Sequence, residues 1–305
     1  MANPGRVHRG GALGNRGRHM RVERRPCTGS ESSVHPSRGG LQNGSLIHGL
    51  LDRLRYCVDS GMVADHKGMR MSGAEFAGVV YRAAAGLRSR GLHPEDVVAV
   101  LAPVSTARLV SVCTALAVGC VALPLQPSSD VDILIKVLVD TDARMILATG
   151  ELAPLAVRLA DCSRVRQVVS FGGAPETTPF ADLLRPGPRH SSSGTVPGPH
   201  GSGLMDYTVL PDASPRTVCH SPWELIAHFL RLNTGLRLSR GDTVVLENGM
   251  TECDRYILAA VALWNGASVL SLADENATVA ATALRAHQAV VRGVPLPSRM
   301  SLRPA

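Results

Sequence analysis

The sequence predicts an α/β fold of open, largely parallel sheets with flanking helices, and three observations carry that expectation. Short, continuously apolar runs, Val97-Val98-Ala99-Val100-Leu101 first among them, have the pattern of strands buried on both faces. Segments of helical period alternate with these runs, and that alternation implies right-handed crossovers between parallel strands. The composition is globular: 305 residues with 45% hydrophobic content and mean hydropathy +0.08, enough chain for one large domain or two. Aromatics make up only 3% of the residues, so the core must be aliphatic.

Each element has a local reason. Leu46 to Cys57 reads as a short helix with Ser45 as its cap. Ser72-Gly73-Ala74-Glu75 is a capping box, Phe76, Val79, Val80, Ala83 and Leu87 follow at helical spacing, and Gly91 closes that helix. After the strand at Val97, Ser105 can cap a helix running to Val118, which Gly119 stops. Cys120 to Leu125 is the next strand, followed by a helix over Val131 to Val139 and a strand over Arg144 to Ala148. A helix over Leu152 to Leu159 and a strand over Val165 to Ser170 continue the alternation. Leu109 to Leu125 is uncharged, but it is short for a membrane span and splits at Gly119 and Pro124 into helix plus strand. Ser221-Pro222-Trp223-Glu224 opens a further helix with a second capping box and proline at its first position. Thr243 to Leu246 reads as a strand, Ile257 to Trp264 as a helix and Ala267 to Leu272 as a strand. The chain therefore divides into a basic tail (1–45), a first α/β subdomain (46–184) and a Pro-, Gly- and Ser-rich linker (185–204). A second, incomplete α/β subdomain (205–296) and a frayed end (297–305) follow.

Charge placement excludes one function class. The formal charge is +7, but residues 1–45 hold eight arginines against Glu23 and Glu31, which is 8 − 2 = +6 and leaves +1 for the rest. The body has no basic patch interleaved with aromatics, so a nucleic-acid module is not expected. The tail lacks the apolar segment of a secretory signal, and its prolines and glycines break any amphipathic helix. The seven cysteines are scattered, with no Cys-x-x-Cys, His-x-x-x-His or His-Glu-x-x-His, so no metal is expected. They read as small buried hydrophobes of a reducing cytoplasm. His190 and His200 in the linker read as solvated, and His220, just before a helix cap, as structural. Gly201-Ser202-Gly203 is not a dinucleotide loop, because Asp206 takes the third glycine's place.

The stretch with chemical interest is Met205 to Thr217, Met-Asp-Tyr-Thr-Val-Leu-Pro-Asp-Ala-Ser-Pro-Arg-Thr. It resembles the phosphate-binding loop of the adenylate-forming superfamily, which reads Tyr-Thr-Ser-Gly-Thr-Thr-Gly-x-Pro-Lys-Gly and includes acyl-CoA synthetases and peptide-synthetase adenylation domains. Tyr207, Thr208 and Pro215 match, and Arg216 stands where that family has lysine. Val209 to Ala213 all depart from it. A triphosphate is held by a concave run of backbone N–H groups that needs glycines for the turn. Here branched apolar side chains replace them, Pro211 removes an N–H, and Asp212 sets a negative charge against the phosphates. Each lost hydrogen bond to a charged group costs roughly 1.5–3 kcal/mol, so ATP binding is expected to weaken at least about a thousandfold.

Other segments support the same resemblance. Gly91-Leu92-His93-Pro94-Glu95-Asp96 is similar to the family's Gly-x-x-Pro-Gly-Asp turn. Ala115 to Leu125 resembles its alanine-rich helix, glycine, strand and Pro-Leu segment, and Asp140-Thr141-Asp142-Ala143-Arg144 its Asp-Ser-x-Ala-Arg turn. Gly249-Met250-Thr251-Glu252 mimics the family's Thr-Glu motif but lies too close to the phosphate loop, and is read as coincidence. The resemblance runs over about residues 46–296, the first part of the family's large domain. It implies a truncated N-terminal domain of an adenylate-forming ligase, without the mobile lid. The expectation is a catalytically inactive relative, a pseudoenzyme or accessory protein, with no catalytic residue and no metal site. Tyr207, Thr208 and Arg216 are then remnants of the phosphate loop, and no cofactor is expected. Besides the remnant of a decaying gene with no selected activity, two alternatives stay open. One is a diverged acyl-adenylate-forming ligase, using ATP and magnesium with a partner-supplied lid. The other is a binding module for an acyl chain or CoA, or for a protein that completes the sheet at its open edge. Two lysines against thirty arginines suggest a GC-rich, bacterial source and, with no membrane span expected, a cytoplasmic protein.

Overall fold

The computed structural model describes residues 45–57, 61–185 and 203–273. The expectations for the basic tail, most of the linker and the last segment lie outside those residues.

The first helix, α1 (Leu46–Tyr56), is followed by β1 (Met62–Asp65) and β2 (Arg70–Ser72), then α2 (Gly73–Ser89) and β3 (Val97–Leu101). Next come α3 (Thr106–Val118), β4 (Val121–Leu125), α4 (Val131–Asp140), β5 (Met145–Thr149), α5 (Ala153–Asp161), β6 (Gln167–Phe171) and β7 (Thr178–Pro179). The last part holds β8 (Gly203–Val209), β9 (Pro215–His220), α6 (Pro222–Gly235), β10 (Thr243–Leu246), α7 (Glu252–Trp264) and β11 (Ser268–Ser271). Both capping boxes form: Ser72 accepts from Glu75 N while Glu75 reaches back, and Ser221 does the same with Glu224. Ser105 caps α3, and Gly119 ends it at φ 97°, a left-handed conformation that favours glycine. The uncharged Leu109–Leu125 span is therefore a helix followed by a strand. No described helix is long and apolar enough to cross a membrane.

The strands form two sheets that do not follow chain order. The larger runs β7-β6-β5-β3-β4-β8-β9, parallel throughout except for the antiparallel β8–β9 hairpin. The smaller runs β10-β11-β1-β2, with only β1–β2 antiparallel. Early β1 thus pairs with late β11, with β2 beside β1 at the edge, while β8 and β9 extend the early sheet. The linker expected to run to residue 204 ends sooner, because Gly203 and Leu204 already pair with Val121 and Ala122 of β4.

Alternation along β3 sorts the core. Val98 and Val100 enter a cluster that also holds residues of α1, α2, α3, α7 and the smaller sheet. Ala99 and Leu101 face the other way, toward Leu134 and Leu138 of α4 and Leu159 of α5. The core is aliphatic as composition requires; Phe76 and Phe229 are its large fully buried aromatics.

Candidate functional site

The stretch read as a phosphate loop folds as a β-hairpin at the edge of the larger sheet. Tyr207 and Thr208 lie on β8 and Arg216 on β9, with Thr208 opposite Arg216 and Tyr207 opposite Thr217. Thr208 and Arg216 are therefore brought together on one face of the hairpin, while Tyr207 turns to the other face. Thr208 and Arg216 are exposed, and Tyr207 is half-buried. The Tyr207 hydroxyl accepts from Gln126 N at 3.0 Å and shares a 2.9 Å hydrogen bond with Ser129 Oγ, which ties the hairpin to the end of β4.

The turn satisfies its own amides. Leu210 N donates to Ser214 O at 2.9 Å, Ala213 N to Leu210 O at 3.0 Å, and Ser214 N to the Asp212 carboxylate at 3.0 Å. Pro211 has no N–H. Ser214, by hydroxyl and then amide, holds the Asp212 carboxyl below its usual range, and the Asp212 amide adds to this. Ala213 adopts φ 59°, the left-handed position that lets the turn close.

Behind the hairpin sits a charge cluster. Asp206 of β8 accepts from Glu252 N at 3.2 Å and Cys253 N at 3.4 Å, so its carboxylate caps the N-terminus of α7. His220 Nε2 lies 3.3 Å from the same carboxylate, and that hydrogen bond, outweighing burial, raises the imidazole above its ordinary value. Glu252, its side chain 12% exposed, sits between two arginines. It receives Arg108 Nη2 at 2.6 Å and Arg108 Nε at 3.2 Å, and also pairs with Arg255. Burial alone would raise the Glu252 carboxyl, but Arg108 and Arg255 outweigh it and hold it low. Arg108 also donates to the carbonyls of Ala102, just after β3, and Leu125 at 2.9 Å, the last residue of β4. The cluster thus sits at the carboxyl ends of parallel strands, where open α/β sheets present their binding crevice. The cavity beside it is about 20 Å3 and is lined by Arg108, Glu252, Arg255, Tyr256 and Ser271 among others. That is room for one water.

Several expectations change here. Gly249-Met250-Thr251-Glu252 has structural work: Thr251 caps α7 and Glu252 makes the ion cluster. His220, read as structural, has Asp206 as its partner. The cysteines are not uniformly buried: Cys113, Cys120 and Cys253 are, but Cys162 and Cys219 are exposed and Cys57 is intermediate. The reason is position: Cys162 is the end cap of α5 and Cys219 lies on an edge strand. Cys253 Sγ lies 3.6 Å from His228 Nδ1, and His228 Nε2 lies 3.6 Å from Asp254 Oδ1. That order suggests a nucleophile, base and acid, but burial pushes the Cys253 thiol up to about 12, so it is no thiolate. No group of three or more His, Cys, Asp or Glu among the described residues could hold a metal ion. Asp206, Arg108 and Arg255 escaped sequence reading; the available signal was Arg108, the one charged residue of α3.

Comparison with known proteins agrees with the topology. Residues 54–204 match the family described as AMP-binding enzyme. The matched segment ends at Leu204, one residue before the stretch resembling the phosphate loop. No curated protein matches the chain in sequence. Among solved structures, a protein designated a long-chain-fatty-acid CoA ligase from Rhodopseudomonas palustris CGA009 superposes with TM-score 0.69 at 20% identity, over 81% of this chain and 62% of its own. A long-chain-fatty-acid-CoA ligase from Archaeoglobus fulgidus gives 0.67 at 18% identity, over 80% and 50%. Mycobacterium smegmatis MbtA gives 0.68 at 22% identity, over 81% and 47%. The chain spans 62% or less of each of these neighbours, and at such identities the likeness is one of fold: an α/β architecture like that of the N-terminal domains of adenylate-forming ligases.

Proposed function

We propose that this chain does not activate acids and acts as a non-catalytic relative of adenylate-forming ligases, a pseudoenzyme or accessory protein that needs no nucleotide. The observation that carries this reading is the closed turn at 210–214. The Leu210, Ala213 and Ser214 amides are spent on Ser214, Leu210 and Asp212, and Pro211 has none to offer. A phosphate arriving there would meet the Asp212 carboxylate and would have to break those bonds first. The 20 Å3 cavity at the strand ends supports the same conclusion, since it is far below the roughly 300–1,000 Å3 of a small-molecule site. Tyr207, Thr208 and Arg216 are then the vestige of a loop whose frame persists without its chemistry.

Isothermal calorimetry of the full chain tests this, with ATP–magnesium and separately with a stable acyl-adenylate analogue. The expected result is no saturable heat from folded protein below about 1 mM ligand, equivalent to binding weaker than about −4 kcal/mol. A micromolar dissociation constant for either ligand, or steady AMP formation from ATP and any carboxylic acid, would overturn it.

A further inference from the structure

We propose that the groove between β2 and α2 binds an extended acidic peptide, which adds as a strand to the free edge of β2. The groove has a volume of about 810 Å3, and three guanidinium side chains line it: Arg55 from α1, Arg70 from β2 and Arg82 from α2. None of the three makes an ion pair among the described residues. Arg55 stacks over the Tyr81 ring at 5.3 Å, and Arg70 Nε approaches Met62 Sδ at 3.2 Å. The one carboxylate in the lining, Glu75, is already bonded to Ser72 N and Oγ at 2.8 and 2.9 Å in the capping box. Nearby Asp52 accepts from the Tyr81 hydroxyl at 2.6 Å. Two charges are therefore engaged locally, while three cations face the open groove over an apolar floor that includes Met71 and Val79.

The backbone beside them is unpaired on one side. β2 ends the strand order of the smaller sheet, so its outer edge has no neighbour among the described residues. Asp65 N donates to Met69 O and Gly73 N to Gly61 O, so the hydrogen-bonded pairs are 65–69, 63–71 and 61–73. Arg70, opposite Ala64, therefore turns its N–H and C=O away from β1, toward the groove edge. An extended peptide can exchange both of those bonds while its alternate side chains meet the arginines and the apolar floor. The occupant is a separate molecule, because the long segments outside the described residues are basic. Residues 1–44 carry eight arginines against two glutamates, residues 186–202 carry Arg189 and no acid, and residues 274–305 carry four arginines against Asp274 and Glu275.

The test is fluorescence anisotropy of the full chain with a labelled synthetic nonapeptide of alternating glutamate and valine. Saturable binding is expected, weakened at least about tenfold by R55E together with R82E and unchanged by R158E at an exposed position of α5. The same peptide N-methylated on alternate amides is expected to bind at least about tenfold more weakly to the unaltered chain, a comparison that holds even if the double variant fails to fold. Absence of saturable peptide binding overturns the proposal. So does equal or better binding of inorganic tripolyphosphate or an oligonucleotide, with no effect of N-methylation, because that is a generic anion surface.

Discussion

At Asp206 one carboxylate does two jobs, capping α7 through two amide N–H groups and pairing with His220. The second job makes stability depend on pH. His220 has a raised folded pKa, chiefly through the Asp206 hydrogen bond, so the folded chain holds its proton longer than the unfolded chain. Its stabilisation is complete below the ordinary imidazole value near 6.5 and is lost as pH rises through the folded pKa. His228 behaves oppositely: burial, then Arg231, lowers it, so stability is lost as pH falls below about 6.5. His48, lowered by burial and then Arg88, adds to the acid side. Thermal unfolding across pH 5 to 9 is therefore expected to peak near neutrality. H220Q should flatten the alkaline limb and leave the acid limb in place. An unchanged alkaline limb in H220Q would show that the Asp206 pair contributes nothing.

Among the elements, the helix ends were the most legible part of the chain, because capping chemistry is local. Ser72, Ser105 and Ser221 each accept the first-turn amide that their spacing implied, and Gly119 ends α3. S221A removes one such bond and is expected to cost about 1 kcal/mol in chemical denaturation, with S221T retaining most of it. Tight element contacts leave no such signature. A Cβ on Gly86 of α2 would lie 2.3 Å from Leu183 O, so G86A is expected to destabilise by roughly 1–3 kcal/mol despite alanine's better helix propensity. A variant as stable as the parent would mean that the helix and the segment at Leu183 separate freely. β1 and β2 were missed for a different reason: with four and three residues they are too short for a period-2 signal. The hairpin turn could be anticipated at Val209 to Ala213, but the exposed face of β9 carries no apolar alternation that marks it as a strand.

For the whole molecule, the two sheets are joined through contacts that sequence spacing cannot encode. Arg108 and Glu252 are 144 positions apart, yet their ion pair links the ends of β3 and β4 to the start of α7. The helices packed between the sheets share one apolar cluster with both of them, so unfolding of the described core should be a single cooperative event. The ion cluster gives a sharp test of that coupling. E252A leaves Arg108, only 4% exposed, with its positive charge buried and uncompensated. Breaking a buried pair from one side costs about 3–5 kcal/mol, and here the loss should appear as one shifted transition with an unchanged denaturant slope. Replacing the cluster with apolar residues as R108M together with E252L and R255M removes the stranded charges, so it should recover most of that loss. The carbonyls of Ala102 and Leu125 would lose their donor, so recovery should stop short of the parent. Two separate transitions in E252A, one for each sheet, would show that the apolar cluster alone cannot hold the halves together. A single-variant loss under about 1 kcal/mol would instead mean that water reaches Arg108, and that the crevice at the strand ends is more open than its 20 Å3 cavity implies.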